Sequence, residues 1–154
     1  MTLAYLFVIA FLVAIDQYSK IVVATYIDLK EVKEIIPNFF YLTNVHNTGA
    51  AWSILDGKQL LFIIITIAAI IMFAYLLFFK INNTKLETIS YLLIIGGAIG
   101  NLIDRITYNY VIDFLDFYIF GYDFPVFNLA DCFLTIGVFL YFIAFILESK
   151  HAKN

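Results

Sequence analysis

The sequence has very few of the residues that build disulfides or zinc centres. It contains one cysteine, Cys132, and two histidines, His46 and His151. A single cysteine cannot form an intrachain disulfide or supply a zinc site made of several cysteines. The histidines do not have the His-Glu-x-x-His spacing of a zinc protease. We therefore expect no metal site in this chain.

Charge is also scarce. Charged residues make up 14% of the sequence and hydrophobic residues 64%, whereas soluble domains average roughly 25% and 45–50%. A domain of about 150 residues still exposes about a third of its unfolded surface, so this chain cannot hide its apolar residues in its own core. Lipid is the natural solvent for the excess. A net charge of −3 without a basic patch gives little support to nucleic-acid binding.

Four hydrophobic segments approach the length of about 20 residues that crosses a bilayer. They cover about residues 3–27, 60–79, 86–103 and 129–147. The first has no basic residues before it and runs into Asp16 rather than a small-residue cleavage site. We therefore expect a retained helix there and not the alternative, a cleaved secretory signal peptide. The prediction is one membrane-embedded, mainly α-helical domain over residues 1–154.

Four spans place both termini on the same side of the membrane. The short loop and the tail on that side carry four lysines: Lys80, Lys85, Lys150 and Lys153. Positive loops favour the cytoplasm, so we predict cytoplasmic termini in a multi-pass protein of the cell membrane. Segments of about 28–59 and 104–128 then lie outside.

The two outer segments are not simple linkers. Residues 35–45 are β-prone, residues 46–49 resemble a turn, and residues 50–55 could return as a second strand. The sequence thus predicts a small outer sheet or hairpin. Residues 104–128 mix aromatic side chains with acidic ones, a composition that suits an interfacial loop or helix.

Ionisable side chains in or beside membrane spans are costly and indicate function by default. Asp16 and Lys20 are four residues apart, so they can form a structural ion pair or hold part of a site. Asn101, Asp104 and Arg105 share one helical face, which is either solvated or a site wall. The preceding glycines allow close helix packing or expose backbone to a ligand.

Two aspartates frame the aromatic segment. Asp131 opens the fourth span and could be a simple helix cap, while Asp113 lies between apolar residues. Two carboxylates that meet would share a proton, as in aspartic proteases. Spacing alone leaves Asp116 and Asp123 as competing candidates. A proton-coupled transporter and a non-enzymatic scaffold are the rival functions.

Five ordered blocks give the chain a resemblance to the lipoprotein signal peptidases, the type II signal peptidases of bacteria. The blocks are Asp16-Gln17-Tyr18-Ser19-Lys20, Asn47-Thr48-Gly49-Ala50-Ala51-Trp52, residues 96–105, Val111-Ile112-Asp113-Phe114 and Phe127-Asn128-Leu129-Ala130-Asp131. The resemblance implies four transmembrane helices with a small extracytoplasmic β-sheet cradle and an extracytoplasmic loop or helix. Trp52 and Cys132 stand where Phe and Ser are common in the family.

The resemblance also implies an activity. The chain would be an aspartyl endopeptidase of the bacterial cytoplasmic (inner) membrane that cleaves prolipoproteins just before their diacylglyceryl-modified cysteine. Asp113 and Asp131 would be catalytic, with no cofactor, and globomycin, a cyclic peptide, would inhibit. Supporting roles are implied for seven residues: Asp16, Lys20, Asn47, Gly97, Asn101, Arg105 and Asn128.

Overall fold

A computed structural model describes residues 2–49 and 55–151 of the chain, and these contain four long helices and a four-stranded sheet. The helices are α1 (Thr2–Tyr26), α2 (Gln59–Phe79), α3 (Lys85–Tyr108) and α4 (Leu129–His151). The strands are β1 (Val32–Ile36), β2 (Phe40–Asn47), β3 (Val111–Ile119) and β4 (Tyr122–Asp123). Each helix is long and apolar enough to cross a membrane. The predicted mainly α, four-span architecture with a small sheet is confirmed.

Helix α3 is the centre of the bundle, and it packs against α1, α2 and α4. Its most apolar stretch is 61% buried inside the protein, whereas that of α2 is only 6% buried. Glycines make this central position possible, because they let neighbouring helices approach closely. Helix α2 instead presents large apolar side chains such as Ile71 and Met72 outward, where lipid would cover them.

The sheet lies at one end of the helices, where α1 and α3 end and α2 and α4 begin. Its strands are antiparallel in the order β1-β2-β3-β4. In the central pair, Val45 of β2 lies opposite Asp113 of β3, and Asn47 lies opposite Val111. This register brings Asn47 close to the Asp113 carboxylate.

The predicted turn at residues 46–49 is wrong for its first half. His46 and Asn47 continue β2, because they pair with Ile112 and Val111 of β3. The turn of the first hairpin comes earlier, at residues 37–39, where Asn38 has a left-handed φ of 56°. Residues 50–54 of the predicted returning strand, including Trp52, lie outside the described residues.

The third helix is longer than the predicted span. It continues past residue 103 to Tyr108 and ends at Asn109, which has a left-handed φ of 62°. Asp104 and Arg105 therefore lie on the last turns of α3. The predicted interfacial segment 104–128 also contains β3, which joins the sheet because β2 offers a free edge for pairing.

Candidate active site

A cavity of about 500 Å³ opens between the sheet and helices α2, α3 and α4. Both predicted catalytic aspartates, Asp113 and Asp131, line it. So do three of the predicted supporting residues, which are Asn47, Asn101 and Arg105. Most of the remaining wall is apolar and includes Phe62, Ile65, Ala69, Ile94, Ala98, Phe127 and Leu134. The chain thus places two carboxylates at the polar end of an otherwise hydrophobic cavity.

Two buried amides connect the aspartates. Asn128 Nδ2 donates to Asp113 Oδ1 at 2.6 Å and to Asn101 Oδ1 at 3.1 Å. Asn101 Nδ2 donates in turn to Asp131 Oδ1 at 2.7 Å. The carboxylates come from β3 and α4, so these contacts fix a strand against the start of a helix.

Asn47 completes the coordination of Asp113. Its Nδ2 donates to Asp113 Oδ2 at 2.8 Å, and its Oδ1 accepts from the backbone N–H of Gly49 at 2.9 Å. Because a backbone N–H can only donate, the Gly49 contact fixes which end of the Asn47 amide faces the aspartate. Each oxygen of Asp113 therefore accepts one hydrogen bond from a neutral amide.

Asp131 is also part of a reciprocal helix cap. Its backbone N–H donates to Asn128 Oδ1 at 3.0 Å, and its Oδ2 accepts from the backbone N–H of Asn128 at 3.2 Å. This is the geometry of a capping box at the start of α4. The sequence left open whether Asp131 caps the helix or belongs to a site. In the structure the Asp131 side chain does both, because it takes part in the cap and also lines the cavity.

The environment of Asp113 favours its protonated form. Burial and the nearby negative charge of Asp131 raise the pKa of Asp113 to about 7, although the amides of Asn47 and Asn128 and the charge of Lys20 oppose the change. A carboxyl with this pKa can hold or release a proton near neutral pH.

A fully buried charge cluster lies behind the two aspartates. The Lys20 ammonium is 2.8 Å from Asp16 and 2.9 Å from Asp104. Asp16 accepts from the backbone N–H of Ala130 at 2.9 Å, and Asp104 accepts from that of Ile112 at 3.2 Å. Ala130 and Ile112 each precede one of the aspartates, so the cluster positions the backbone beside both.

Sequence reasoning did not assign Gln17 and Asp104 to the site. Gln17 Nε2 donates to Asp104 Oδ1 at 2.8 Å and to the Gly100 carbonyl at 3.1 Å. Asp104 was noted only as one member of a polar helical face. Two features of the sequence could have indicated a role for Asp104. It is three residues from Asn101 on a helix, and one buried lysine, such as Lys20 of the Asp16-Lys20 pair, can bind two carboxylates.

Arg105 is the cation of the cavity wall. Its guanidinium carbon lies 5.1 Å from the centre of the Phe62 ring. Within residues 2–49 and 55–151, no carboxylate lies within ion-pair distance of this side chain, and its buried Nε has no hydrogen-bond partner. The Arg105 side chain lines the cavity, so its guanidinium can bind an acceptor that enters it.

The competing acids lie elsewhere. Asp116 is three residues from Asp113 on the same strand, and side chains of odd separation point to opposite faces of a sheet. Asp123 is exposed on β4. Neither lines the cavity. Among the described residues, no three His, Cys, Asp or Glu side chains are grouped in a way that could hold a metal ion.

Gly97 allows α4 to approach α3 next to Asp131. A Cβ at this position would lie 2.5 Å from the Ala130 carbonyl oxygen, which is backbone and cannot rotate away. We expect Gly97→Ala to cost about 1–3 kcal/mol in stability, as overpacking does, and to reduce the activity that the resemblance implies, because the start of α4 must move. Thermal unfolding and an activity assay on the purified variant measure the two effects.

Gly137→Ala provides the matched control. A Cβ there would also meet backbone of the same helix pair, the Ser90 carbonyl at 3.0 Å, but farther along α4 from Asp131. We expect a loss of stability with little loss of activity below the unfolding temperature. Equal losses of activity in the two variants would contradict a specific role for Gly97 beside Asp131.

Comparison with known proteins agrees with this architecture. A family model described as "Signal peptidase (SPase) II" matches residues 8–147. The protein named lipoprotein signal peptidase in Staphylococcus aureus is 42% identical over 144 residues, which is 94% of this chain and 88% of the relative. The same protein of Staphylococcus aureus strain Newman gives the same values.

Two solved structures are similar over almost the whole chain. One, described as a bacterial membrane enzyme at 2.3 Å resolution, has a TM-score of 0.88 and 40% identity and covers 96% of this chain and 90% of its own. The other, described in the same way at 1.9 Å resolution, has a TM-score of 0.82 and 42% identity, with 92% of each chain covered. The match over residues 8–147 and the shared fold show that this chain belongs to the signal peptidase II family of aspartic peptidases.

Proposed function

We propose that this chain removes signal peptides from diacylglyceryl-modified prolipoproteins, with Asp113 and Asp131 as its catalytic pair. The observation that carries the proposal is the pair itself: two carboxylates line one cavity and are connected by the amides of Asn101 and Asn128. Membership of the signal peptidase II family supports the reaction, and the name of the Staphylococcus aureus relative supports the substrate class.

The pair can hydrolyse a peptide bond when it carries one proton. The ionised carboxylate removes a proton from water, and the water oxygen attacks the carbonyl carbon. The protonated carboxyl donates to the carbonyl oxygen as negative charge develops there. The resulting tetrahedral intermediate then collapses, and the leaving amine receives a proton. Arg105 and Asn47 line the same cavity and can bind carbonyl oxygens of the substrate backbone.

The apolar part of the cavity suits a substrate that stays in the membrane. Ile65 and Ala69 of α2, Ile94 of α3 and Leu134 of α4 line it, and all four come from membrane-spanning helices. A hydrophobic signal peptide can remain in the bilayer while its scissile bond reaches the aspartates. Globomycin, as a cyclic peptide, would occupy the same cavity.

We also propose that the chain lies in the bacterial inner membrane with both termini in the cytoplasm. Lys80 lies in the loop between α2 and α3, and Lys85 is the first residue of α3, so both lysines lie at the opposite end of the helices from the sheet. Positive loops favour the cytoplasmic side. The sheet and the two aspartates would then lie at the outer boundary, where water reaches them.

The direct test uses purified enzyme in detergent or lipid with a diacylglyceryl-modified prolipoprotein. We expect two products, and mass spectrometry should place the lipidated cysteine at the new N-terminus. The matched control is the same precursor without the diacylglyceryl group, which we expect to be cleaved poorly. Cleavage at another bond, or equal cleavage of both precursors, would refute the proposed specificity.

A pH profile tests the need for a shared proton. Because the pKa of Asp113 is about 7, the pair loses its proton as pH rises through neutrality. We expect kcat/KM to fall above about pH 7, by about tenfold per pH unit for the loss of one proton. Rates with saturating and limiting substrate across this range provide the measurement.

Asn47→Ala serves as the companion variant for the pH profile. Its amide donates to Asp113 Oδ2 and lowers the pKa of that carboxyl, so its removal should raise the pKa. We expect the alkaline limb of the variant to move to higher pH, whatever the change in maximum rate. A limb that stays in place or moves to lower pH would rule out Asp113 as the titrating group.

A further inference from the structure

From the contacts around the two aspartates, we infer that they have fixed and different roles at rest: Asp131 is the ionised base and Asp113 is the protonated acid. The catalytic roles of base and acid in this assignment rest on the proposed function. The location of the proton is a property of the folded protein, so it can be measured without any cleavage assay.

The first support is the position of Asp131 in α4. Asn128 is the N-cap of the helix, and Asp131 lies three residues later, in the first turn. The aligned peptide dipoles of a helix make its start electropositive, which stabilises a negative side chain there. The capping box also requires Asp131 Oδ2 to accept from the backbone N–H of Asn128. Both effects favour a carboxylate.

The second support is a contact chain from the buried Lys20. Its ammonium donates to Asn101 Oδ1 at 2.9 Å, and an ammonium can only donate. The oxygen of the Asn101 amide must therefore face Lys20, and its Nδ2 must face Asp131 Oδ1, at 2.7 Å. Lys20 thus determines that Asn101 gives a hydrogen bond to Asp131, and such a bond stabilises the ionised form.

Asp113 lacks the stabilisation that a helix start provides. Like Asp131, it accepts two hydrogen bonds from neutral groups, here the amides of Asn47 and Asn128, but it lies on a strand and not at a helix start. Its neighbours Ile112 and Phe114 are buried apolar residues. Each carboxyl oxygen keeps a second lone pair, so a proton on Asp113 need not displace either amide.

The other charged groups near the pair do not reverse this order. Arg105 of α3 lines the cavity beside both aspartates. Asp16 of α1 and Asp104 of α3 are both paired with Lys20. On β2, the His46 ring stacks on Tyr110, with ring centres 3.7 Å apart. Lys20 acts on both aspartates, but the Asn101 amide that it contacts directly donates to Asp131, whereas the Asn128 amide that donates to Asp113 is one hydrogen bond farther from Lys20.

The assignment gives each proton a defined path. Asp131 takes a proton from water as the water oxygen bonds to the carbonyl carbon, and Asp113 gives its proton to the carbonyl oxygen. Asp131 then passes its new proton to the leaving nitrogen as the C–N bond breaks. Asp113 recovers a proton from the hydroxyl as the carbonyl of the product forms, so both side chains return to their starting states.

Infrared spectroscopy of variants with one remaining aspartate tests the assignment. The C=O band of a protonated carboxyl is followed against pH in Asp131→Asn, which retains Asp113, and in Asp113→Asn, which retains Asp131. Spectra of the variant with both changes are subtracted to remove all other carboxyls. We expect Asp113 to keep its proton to a pH at least about one unit higher than Asp131 does, a tenfold difference in proton affinity. Equal midpoints or the reverse order would overturn the inference.

Asn101→Ala, added to each of these variants, tests the path from Lys20. Among the described residues, Asn101 donates to Asp131 and not to Asp113. We expect the Asp131 midpoint to move to higher pH and the Asp113 midpoint to move much less. Equal movement of both would show that Asn101 does not select between them. If the single variants kept full activity, the proposed function would fail, yet these midpoints would still locate the proton.

Discussion

Asp113→Asn and Asp131→Asn should each reduce prolipoprotein processing by about a thousandfold or more, which is within the range for removal of a general acid or base. Asparagine is nearly isosteric with aspartate, but it can neither take a proton from water nor donate one to a carbonyl oxygen. Cleavage of a diacylglyceryl-modified precursor by the purified variants provides the measurement. Unfolding temperatures close to that of the wild type would show that the loss is chemical.

The same strand supplies the matched control. Asp116→Asn makes the same chemical change on β3, on the face opposite to Asp113. Asp116 is buried but does not line the cavity, so its replacement leaves the interactions made in the transition state in place, and we expect processing within about threefold of wild type. Wild-type rates in either Asp113→Asn or Asp131→Asn would refute the assignment, as would equal losses in all three variants.

Lys20→Met should lower the free energy of unfolding by about 3–5 kcal/mol, the usual cost of removing one partner from a buried ion pair. Lys20 is 1% exposed, and the substitution leaves Asp16 and Asp104 buried without their cation. The length and apolar stem of methionine resemble those of lysine, so the loss reports the missing charge. Equilibrium unfolding in mixed micelles provides the measurement.

Lys33→Met is the control for removal of a lysine from an exposed ion pair. Lys33 lies 3.5 Å from Glu31 and also donates to the Tyr26 carbonyl at 2.6 Å, and the side chains of Lys33 and Glu31 are 44% and 39% exposed. Exposed pairs contribute about 0–1 kcal/mol, so we expect little change. Similar losses in the two variants would mean that the buried cluster does not stabilise the fold in the way described here.

The helices were predictable because a bilayer imposes a simple requirement on sequence. All four predicted spans correspond to helices, and their starts agree within one residue. The end of α3 was missed by five residues, since its last turns carry Asp104 and Arg105. Their low hydropathy predicts that Asp104 and Arg105 lie outside the membrane span. In the structure, however, Asp104 is buried, and it contacts Lys20 and Gln17. Partners from α1 are not visible in the local sequence of α3.

The aspartates show a second limit. Asp113 and Asp116 lie in similar apolar surroundings along the sequence, so composition could not choose between them. The choice depends on which face of β3 points to the cavity, and pairing with β2 sets that face. Only the resemblance to a known family separated them. The misplaced turn at residues 46–49 has the same origin, because the partner strand of His46 and Asn47 lies far along the chain.

The buried contact between Asp16 and Ala130 also sets an order of events during biosynthesis. Asp16 belongs to α1, and the N–H from which it accepts a hydrogen bond belongs to α4, which is synthesised later. The buried carboxylate therefore has to wait for α4 before this hydrogen bond can form, and Asp131 arrives with the same helix. A chain synthesised only as far as β3 therefore contains Asp113 without Asp131, and under the proposed mechanism it cannot cleave neighbouring proteins while membrane insertion is still in progress.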